Sequence, residues 1–249
     1  MILQGITRNK AIANFVAICL LLIWTDIGLS SQIGRSGAAT TFYLDTHFGL
    51  KSMYKSAAIA ANNDSTTVRY AFGGYGGRGK TMGYLLKTDT NTTSFLINDT
   101  DKGSITTTWQ DSILRYRWGY MYLGIAYTTV TMTMTKETTE HLDLVGTGLG
   151  GNLGVIIPFG KSGLFYIDAI SVTASTARNG STTTPSATAT YGSRLDIDLG
   201  VTLDITSEVL DFAIGYMQRT IPLTVSSLSD SGTEQFFMTY IGFRSSFDF

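Results

Sequence analysis

The chain has 249 residues, with 18 Lys or Arg against 19 Asp or Glu, and this near-zero net charge predicts no nucleic-acid partner. It contains 37 Thr, 27 Gly, 13 Tyr and 13 Phe, and because Thr and aromatic residues are poor helix formers, this composition excludes an all-α fold. The single cysteine, Cys19, excludes a disulfide scaffold and a cysteine-ligated zinc site.

Residues 1–31 have the composition of a secretory signal peptide that is removed on export. Arg8 and Lys10 give a basic start, and residues 11–24 form an almost entirely apolar segment. Fourteen helical residues rise about 21 Å, which is less than the ~30 Å of a hydrocarbon core. A cleaved signal is therefore favoured over a retained anchor, and residues 32–249 are predicted to form one domain.

The rest of the chain predicts strands with alternating faces. The clearest example is 191–204, where Leu, Ile and Val share one face and Arg, Asp, Gly and Thr share the other. Its fourteen residues exceed the usual five or six, and an outer membrane needs only about 9–11. The same alternation of apolar and polar residues recurs along the chain and predicts ten strands, including this one. They are predicted at 40–49, 66–75, 81–90, 105–118, 120–135, 142–157, 164–176, 191–204, 208–221 and 235–249.

The lengths of the connections also alternate between these strands. Short turns are predicted at 76–80, at Gly119, at 158–163 and at 205–207, and longer polar loops at 51–65, 91–104, 136–140, 177–185 and 226–234. Short turns at one end and longer loops at the other are typical of an all-β, up-and-down antiparallel transmembrane β-barrel. We predict ten strands, with eight or twelve as alternatives, and both termini at the periplasmic end.

Charged residues of the predicted strands lie opposite the apolar ones. A lipid-facing Arg or Lys near the midplane costs about 2–4 kcal/mol, so we expect the apolar face outward and the charges in the lumen. A soluble secreted β-sandwich shows the same alternation and is one alternative. If the lumen conducts, the candidates for gating or selectivity are Arg69, Lys87, Asp111, Arg115, Arg117, Arg194, Asp196, Asp198, Asp211, Arg219 and Arg244.

Four glycines share the inward face of the predicted strand 142–157, namely Gly146, Gly148, Gly150 and Gly154. They could clear space for a channel or a ligand. They could instead let a bulky side chain such as Tyr122 fit across a small lumen, and we favour this second interpretation.

The last strand carries a more specific pattern. Counting back from the terminal Phe249, the residues Phe247, Phe243 and Ile241 stand at alternate positions, and only Ser245 departs. In this pattern the chain resembles bacterial outer-membrane β-barrel proteins, which end in such a strand. The resemblance implies export through the periplasm of a Gram-negative cell, insertion by the barrel-insertion machinery, and the lipid of the outer membrane as a partner.

One motif points to a different chemistry. Residues 74–81 fit G-x-x-x-x-G-K-[ST], the loop that cradles nucleotide phosphates at the start of a helix. The residues that follow, 82–93, combine an early glycine with a run of Thr and are typical of a strand. A glycine-rich turn between two strands explains the same residues, so we predict no nucleotide cofactor.

The two histidines are the other candidates for chemistry. His47 lies two residues from Asp45, and His141 lies beside Glu140. A His–carboxylate pair could act as a general base or hold a metal ion. Scattered histidines in a polar barrel are more often hydrogen-bonding residues, and no serine nucleophile can be nominated. We therefore predict no catalytic residue, no cofactor and no metal site.

These observations predict a non-enzymatic outer-membrane barrel that serves membrane integrity, surface interaction or narrow solute passage. A small solute or a cell-surface ligand is a possible partner. Eight to ten strands leave an interior that side chains largely fill, so a wide, porin-like pore is not expected. The main alternative is an outer-membrane enzyme, protease- or lipase-like, with its site at the extracellular rim.

Overall fold

The computed structural model describes residues 40–56, 61–76, 81–97, 101–136, 140–159, 163–173, 175–179, 188–206, 210–225 and 231–248. Regular structure in this part of the chain is β-strand. The segments are β1 (Thr40–Ser56), β2 (Ala61–Gly76), β3 (Met82–Ile97), β4 (Asp101–Trp118), β5 (Met121–Lys136), β6 (Glu140–Phe159), β7 (Gly163–Val172), β8 (Ser175–Asn179), β9 (Thr188–Tyr191), β10 (Arg194–Thr206), β11 (Leu210–Val225) and β12 (Ser231–Asp248). Over the same residues, no helix is long and apolar enough to cross a bilayer.

The strands form one closed antiparallel sheet. From β1 to β7 each strand pairs with the next, β7 pairs with β10, β10 with β11, and β11 with β12. Pairing of β12 with β1 closes the barrel. Because β8 continues β7 along β6, and β9 continues β10 along β11, the twelve segments make ten wall strands. The predicted up-and-down barrel of ten strands is confirmed, and the β-sandwich alternative is wrong because the wall is a single closed sheet.

Several strands run further than the sequence predicted. β3 continues to Ile97 and β4 begins at Asp101, so the expected loop at 91–104 is mostly strand. The expected loop at 51–65 is likewise occupied by β1 and β2 at its two ends. The reason is that Thr and Ser fit a pleated strand as well as apolar residues do, and Ser94 pairs directly with Ser104. The polar residues of these segments therefore mark a change in the chemical character of the outer surface and not the end of a strand.

The barrel exposes apolar side chains and buries polar ones. On β5, Leu123 is 60% exposed and Ile125 is 69% exposed, whereas the inward Ala126 is fully buried. Outward apolar residues are also exposed on β1, β3, β4, β6 and β10. This arrangement reverses the usual rule for a soluble domain and is typical of a wall that faces lipid.

Other predictions fall on or beside the residues between strands. β2 ends at Gly76 and a strand, β3, follows from Met82, so the helix that a phosphate-binding loop requires is absent from the described residues 81–97. That finding disfavours a nucleotide site at 74–81. The predicted signal peptide (1–31), Phe249 and the side chain of His141 lie outside the part of the chain that the structure describes.

Candidate functional site

Inward-pointing residues of five strands meet in the middle of the barrel. We call this group the central cluster; it contains four cations and four carboxylates, all 0–8% exposed: Arg69, Lys87, Asp89, Asp111, Arg194, Asp196, Asp198 and Arg219. They come from β2, β3, β4, β10 and β11. The alternation of each strand places them inward, and equal numbers of opposite charges make the cluster formally neutral.

Some ion pairs of the cluster join neighbouring strands. Arg69 and Asp89 lie opposite each other on β2 and β3, and their side chains pair directly. Arg219 donates two hydrogen bonds to Asp196 on the adjacent strand, from Nε at 2.9 Å and from Nη2 at 2.7 Å. Such cross-strand pairs stabilise the wall locally, since the partners are already held side by side.

Other ion pairs cross the lumen. Arg219 Nη2 on β11 donates to Asp89 Oδ2 on β3 at 2.8 Å. On β10, Arg194 Nη2 donates to both carboxylate oxygens of Asp111 on β4, at 2.8 and 2.9 Å. A further pair joins Arg69 on β2 to Asp198 on β10. None of these strand pairs are neighbours in the sheet, so the bonds span the interior and obstruct it at this level.

Three carboxylates of the cluster are close enough to hold a metal ion. Single oxygens of Asp89, Asp111 and Asp196 lie within 4.8 Å of one another. The ammonium of Lys87 lies near all three, at 3.8, 3.4 and 4.0 Å respectively. Arg194 and Arg219 also pair with these carboxylates, so with Lys87 three cations face three carboxylates and side-chain ion pairs account for the geometry.

Aromatic rings cover the cluster on the side away from Thr40 and Asp248, the first and last described residues. The guanidinium of Arg194 lies 4.7 Å from the ring centre of Trp109, and that of Arg219 lies 5.2 Å from it. The ring of Tyr191 meets Trp109 edge-on at 5.7 Å. A cation over an aromatic face is attracted by the ring quadrupole, so Trp109 both holds the two arginines and fills the space beside them.

A second polar group lies nearer the other end of the lumen. Arg115 donates to Asn152 Oδ1 at 2.7 Å and to Asp168 Oδ2 at 3.0 Å, and it lies 4.5 Å above the ring of Tyr122. A Cβ at position 154 would collide with that ring. The structure thus supports the interpretation in which Gly154 makes room for Tyr122.

His47 belongs to the wall of the lumen and not to its rim. Its ring stacks on Tyr240 at 4.5 Å, and a Cβ at position 242 would strike the imidazole. The hydroxyl of Tyr240 donates to Asp198 at 2.6 Å and also contacts the hydroxyl of Tyr166. Among the described residues, His47 Nδ1 has no hydrogen-bond partner. His47 is therefore packed against Tyr240 in the polar interior of the barrel.

Seven of the eleven predicted lumen residues meet in the central cluster, and the other four do not. Arg115 belongs to the second group, and Arg244 pairs with Asp45 on the adjacent strand at 2.6 and 2.8 Å. Arg117 donates to the carbonyl of Gly119 at 3.1 Å, and Asp211 is partly exposed. Whether any of the eleven controls conduction stays a prediction.

Sequence reasoning did not single out two partners in these groups, Asn152 and Tyr240. The alternation of the strands places both inward, so their direction was readable. Which residues pair across the lumen was not readable, because Arg219 and Asp89, for example, are 130 residues apart and meet only when the barrel closes.

The predicted insertion signal lies on the outer side of β12 where the structure describes it. Phe243 is exposed and meets Phe212 edge-on at 5.8 Å, and Ile241 is half-buried on the same face. The backbone of Phe247 pairs with Phe42 on β1. The side chain of Phe247 is not described, and recognition of this strand by insertion machinery stays a prediction.

Comparison with known proteins gives a fold and no family. No family model and no curated protein sequence matches the chain. Among solved structures, the outer membrane protease OmpT from Escherichia coli matches with a TM-score of 0.52 and 8% identity, over 85% of this chain and 98% of that one. The translocator domain of the autotransporter NalP from Neisseria meningitidis matches with a TM-score of 0.41 and 13% identity, over 95% and 97%.

Neisserial surface protein A matches with a TM-score of 0.42 and 12% identity, over 84% of this chain and 98% of that chain. At 8% identity the likeness to OmpT establishes architecture alone, since one fold hosts many functions. The chain has the antiparallel β-barrel fold of bacterial outer-membrane proteins.

Proposed function

We propose that this chain is an integral, non-enzymatic protein of the bacterial outer membrane that keeps its lumen closed and serves membrane integrity and surface contact. The observation that carries the proposal is the central cluster, in which ion pairs from β2 to β10, from β3 to β11 and from β4 to β10 cross the barrel interior.

The outer wall supports residence in a membrane. Leu114, Leu123 and Ile125 are neighbours on β4 and β5, and each is more than half exposed. Exposing such side chains to water costs roughly 25 cal/mol per Å² of apolar surface. Lipid tails remove that cost, and they cannot stabilise lipid-facing charges, which fits the inward position of the arginines.

The interior supports a closed lumen. The three cross-lumen pairs are almost fully buried and are linked through shared residues such as Arg69 and Asp89, so a solute could pass only if this linked cluster were broken. Separating a buried pair leaves each charge without compensation, which costs about 3–5 kcal/mol when one partner is lost. A role that needs passage of solutes is therefore less well supported than a role for the wall and the surface.

The described side chain of His47 gives no support to the enzymatic alternative. A rim site of the protease kind would need a histidine beside a carboxylate at the extracellular edge. His47 instead faces the interior midway along β1, stacked on Tyr240. The shared fold with an outer-membrane protease carries no catalytic residue to this chain.

Refolding of the full chain into phosphatidylcholine vesicles tests both parts of the proposal. We expect the folded protein to migrate differently in detergent gels before and after heating, and to give no current steps across a planar bilayer. Recovery in the soluble periplasmic fraction of cells would contradict the membrane assignment. Steady conductance of the unmodified protein would contradict the closed lumen.

A matched pair of double variants tests whether the central cluster is the barrier to ion conduction through the lumen. D111A/R194A removes both members of a cross-lumen pair, and D45A/R244A removes both members of a pair between adjacent strands. Each keeps the net charge unchanged. We expect current steps from D111A/R194A and none from D45A/R244A, because only the first opens space across the lumen. Equal behaviour of the two variants would show that the central cluster is not the barrier.

A further inference from the structure

The outer face of β3, β4 and β5 changes character halfway along each strand. On β3, Met82, Tyr84 and Leu86 are exposed and apolar, and the outward positions beyond them are hydroxyl-bearing. β4 and β5 change in the same way. We call the hydroxyl-rich area the threonine array; it consists of Thr88, Thr90, Thr92, Thr106, Thr108, Thr129, Thr131 and Thr133.

Pairing between the strands makes this array regular. One row contains Thr92, Thr106 and Thr133, and the next contains Thr90, Thr108 and Thr131. Rows of this kind repeat about every 4.8 Å across strands and about 6.6 Å along them. Hydroxyl groups of adjacent strands contact one another, at 3.3 Å between Thr90 and Thr108 and at 3.1 Å between Thr92 and Thr106.

The array offers hydrogen bonds without charge. No Asp, Glu, Lys or Arg occupies an outward position in 82–94 of β3, 104–118 of β4 or 121–133 of β5. Each hydroxyl can donate one hydrogen bond and accept two, so a contact with one neighbour leaves further capacity. A neutral partner rich in hydroxyl groups matches this surface, whereas a phosphate or a carboxylate would find no cation at the outward positions of these ranges.

The position of the array indicates where that partner lies. It continues the exposed apolar surface toward the end of the barrel opposite Thr40 and Asp248, the first and last described residues. With both termini on the periplasmic side, as the proposed function implies, the array lies just beyond the hydrocarbon on the cell exterior. Sugar headgroups of glycolipids occupy that layer.

We propose that the threonine array binds the sugar headgroups of neutral glycolipids in the leaflet that surrounds the barrel, an inference that rests on the proposed function. Hydroxyl groups in register would bond to successive sugar hydroxyls, while Leu86, Leu114 and Tyr127 contact the acyl chains below them. The partner is a membrane lipid and not a free polysaccharide, because the array and the apolar wall form one continuous outer surface.

Native mass spectrometry of the full chain, refolded in phosphatidylcholine vesicles that contain a minority of dihexosyl diacylglycerol, tests the inference. The array variant is T90V/T108V/T131V, which removes the hydroxyls of one row and keeps the β-branched shape. The control variant, T46V/T220V/T239V, makes the same change at outward positions of β1, β11 and β12. Heat-dependent gel migration reports separately whether each protein has inserted.

We expect the unmodified protein and the control to retain the glycolipid preferentially, and the array variant to retain about tenfold less, since three hydrogen bonds are lost. Insertion without any preference for the glycolipid would overturn the inference and leave the proposed function intact. Equal losses in the array and control variants would overturn it as well. Equally tight binding of free dihexose would show a soluble glycan site instead, and failure to insert would remove both proposals.

Discussion

The two faces of β10 show how this barrel reverses the usual distribution of polarity. Asp196 is 2% exposed and its neighbour Ile197 is 39% exposed, although a soluble domain would place them the other way round. The buried carboxylate is held by Arg219 at 2.7 Å, whereas Ile197 needs only an apolar surrounding. Residues of the inner face are thus stabilised by specific partners, and residues of the outer face by an apolar surrounding. Mutations on the two faces should therefore destabilise the protein for different reasons.

Loss of one partner on the inner face should have the largest effect. In Arg219→Ala, Asp89 and Asp196 each lose a buried cation at 2.8 and 2.7 Å. We expect the free energy of unfolding, measured by urea titration in vesicles, to fall by about 3–5 kcal/mol. Arg117→Ala is the control, because the side-chain hydrogen bond described for Arg117 goes to the carbonyl of Gly119 and not to a buried carboxylate. Similar losses in the two variants would show that the cluster is not a special source of stability.

A charge on the outer face should cost somewhat less. Leu199 points outward near the middle of β10. We expect Leu199→Arg to lower the free energy of unfolding in vesicles by about 2–4 kcal/mol, because the guanidinium would face hydrocarbon. Leu199→Phe, which stays apolar, is the control and should unfold as the unmodified protein does. An unchanged stability of the arginine variant would place this face in water.

Removal of one tyrosine hydroxyl compares the inner and outer faces with the same chemical change. Tyr240→Phe deletes the bond to Asp198 at 2.6 Å and the contact with the hydroxyl of Tyr166. We expect a loss of about 1.5–3 kcal/mol, since the acceptor is a buried carboxylate. Tyr127→Phe removes an exposed hydroxyl from the outer face of β5 and should change stability by less than about 0.5 kcal/mol. Equal losses of unfolding free energy in the two variants, measured by urea titration, would contradict the proposed difference between the inner and outer faces.

Glycines on the two faces of β6 offer a still smaller comparison. A methyl group at position 154 would strike the ring of Tyr122, whereas at position 151 the nearest atom is 3.8 Å away. We expect Gly154→Ala to cost about 1–3 kcal/mol through overpacking, and Gly151→Ala to be nearly neutral. The midpoints of urea unfolding measure both, and a neutral Gly154→Ala would mean that the interior there is loosely packed.

The sequence alone determined which way each side chain points. Alternation along β2, β3 and β10 placed Arg69, Asp89 and Asp196 on one face and apolar residues such as Leu86 and Ile197 on the other, and the energetic cost of lipid-facing charge identified the inner side. The count of ten wall strands also followed from this rhythm, since each strand is a separate alternating segment. Direction is a local property, because successive Cβ atoms alternate whatever the rest of the chain does.

Only the tertiary structure decided which residues meet and where strands end. Arg219 meets Asp89 across the lumen because closure and stagger of the sheet bring β11 and β3 to the same level, and no local pattern encodes that level. Likewise, residues 91–97, which are polar from Asn91 to Ser94, continue β3 because their backbone groups find partners on β4. A strand is held by pairing with its neighbour, so its length is a property of two strands together and cannot be read from one.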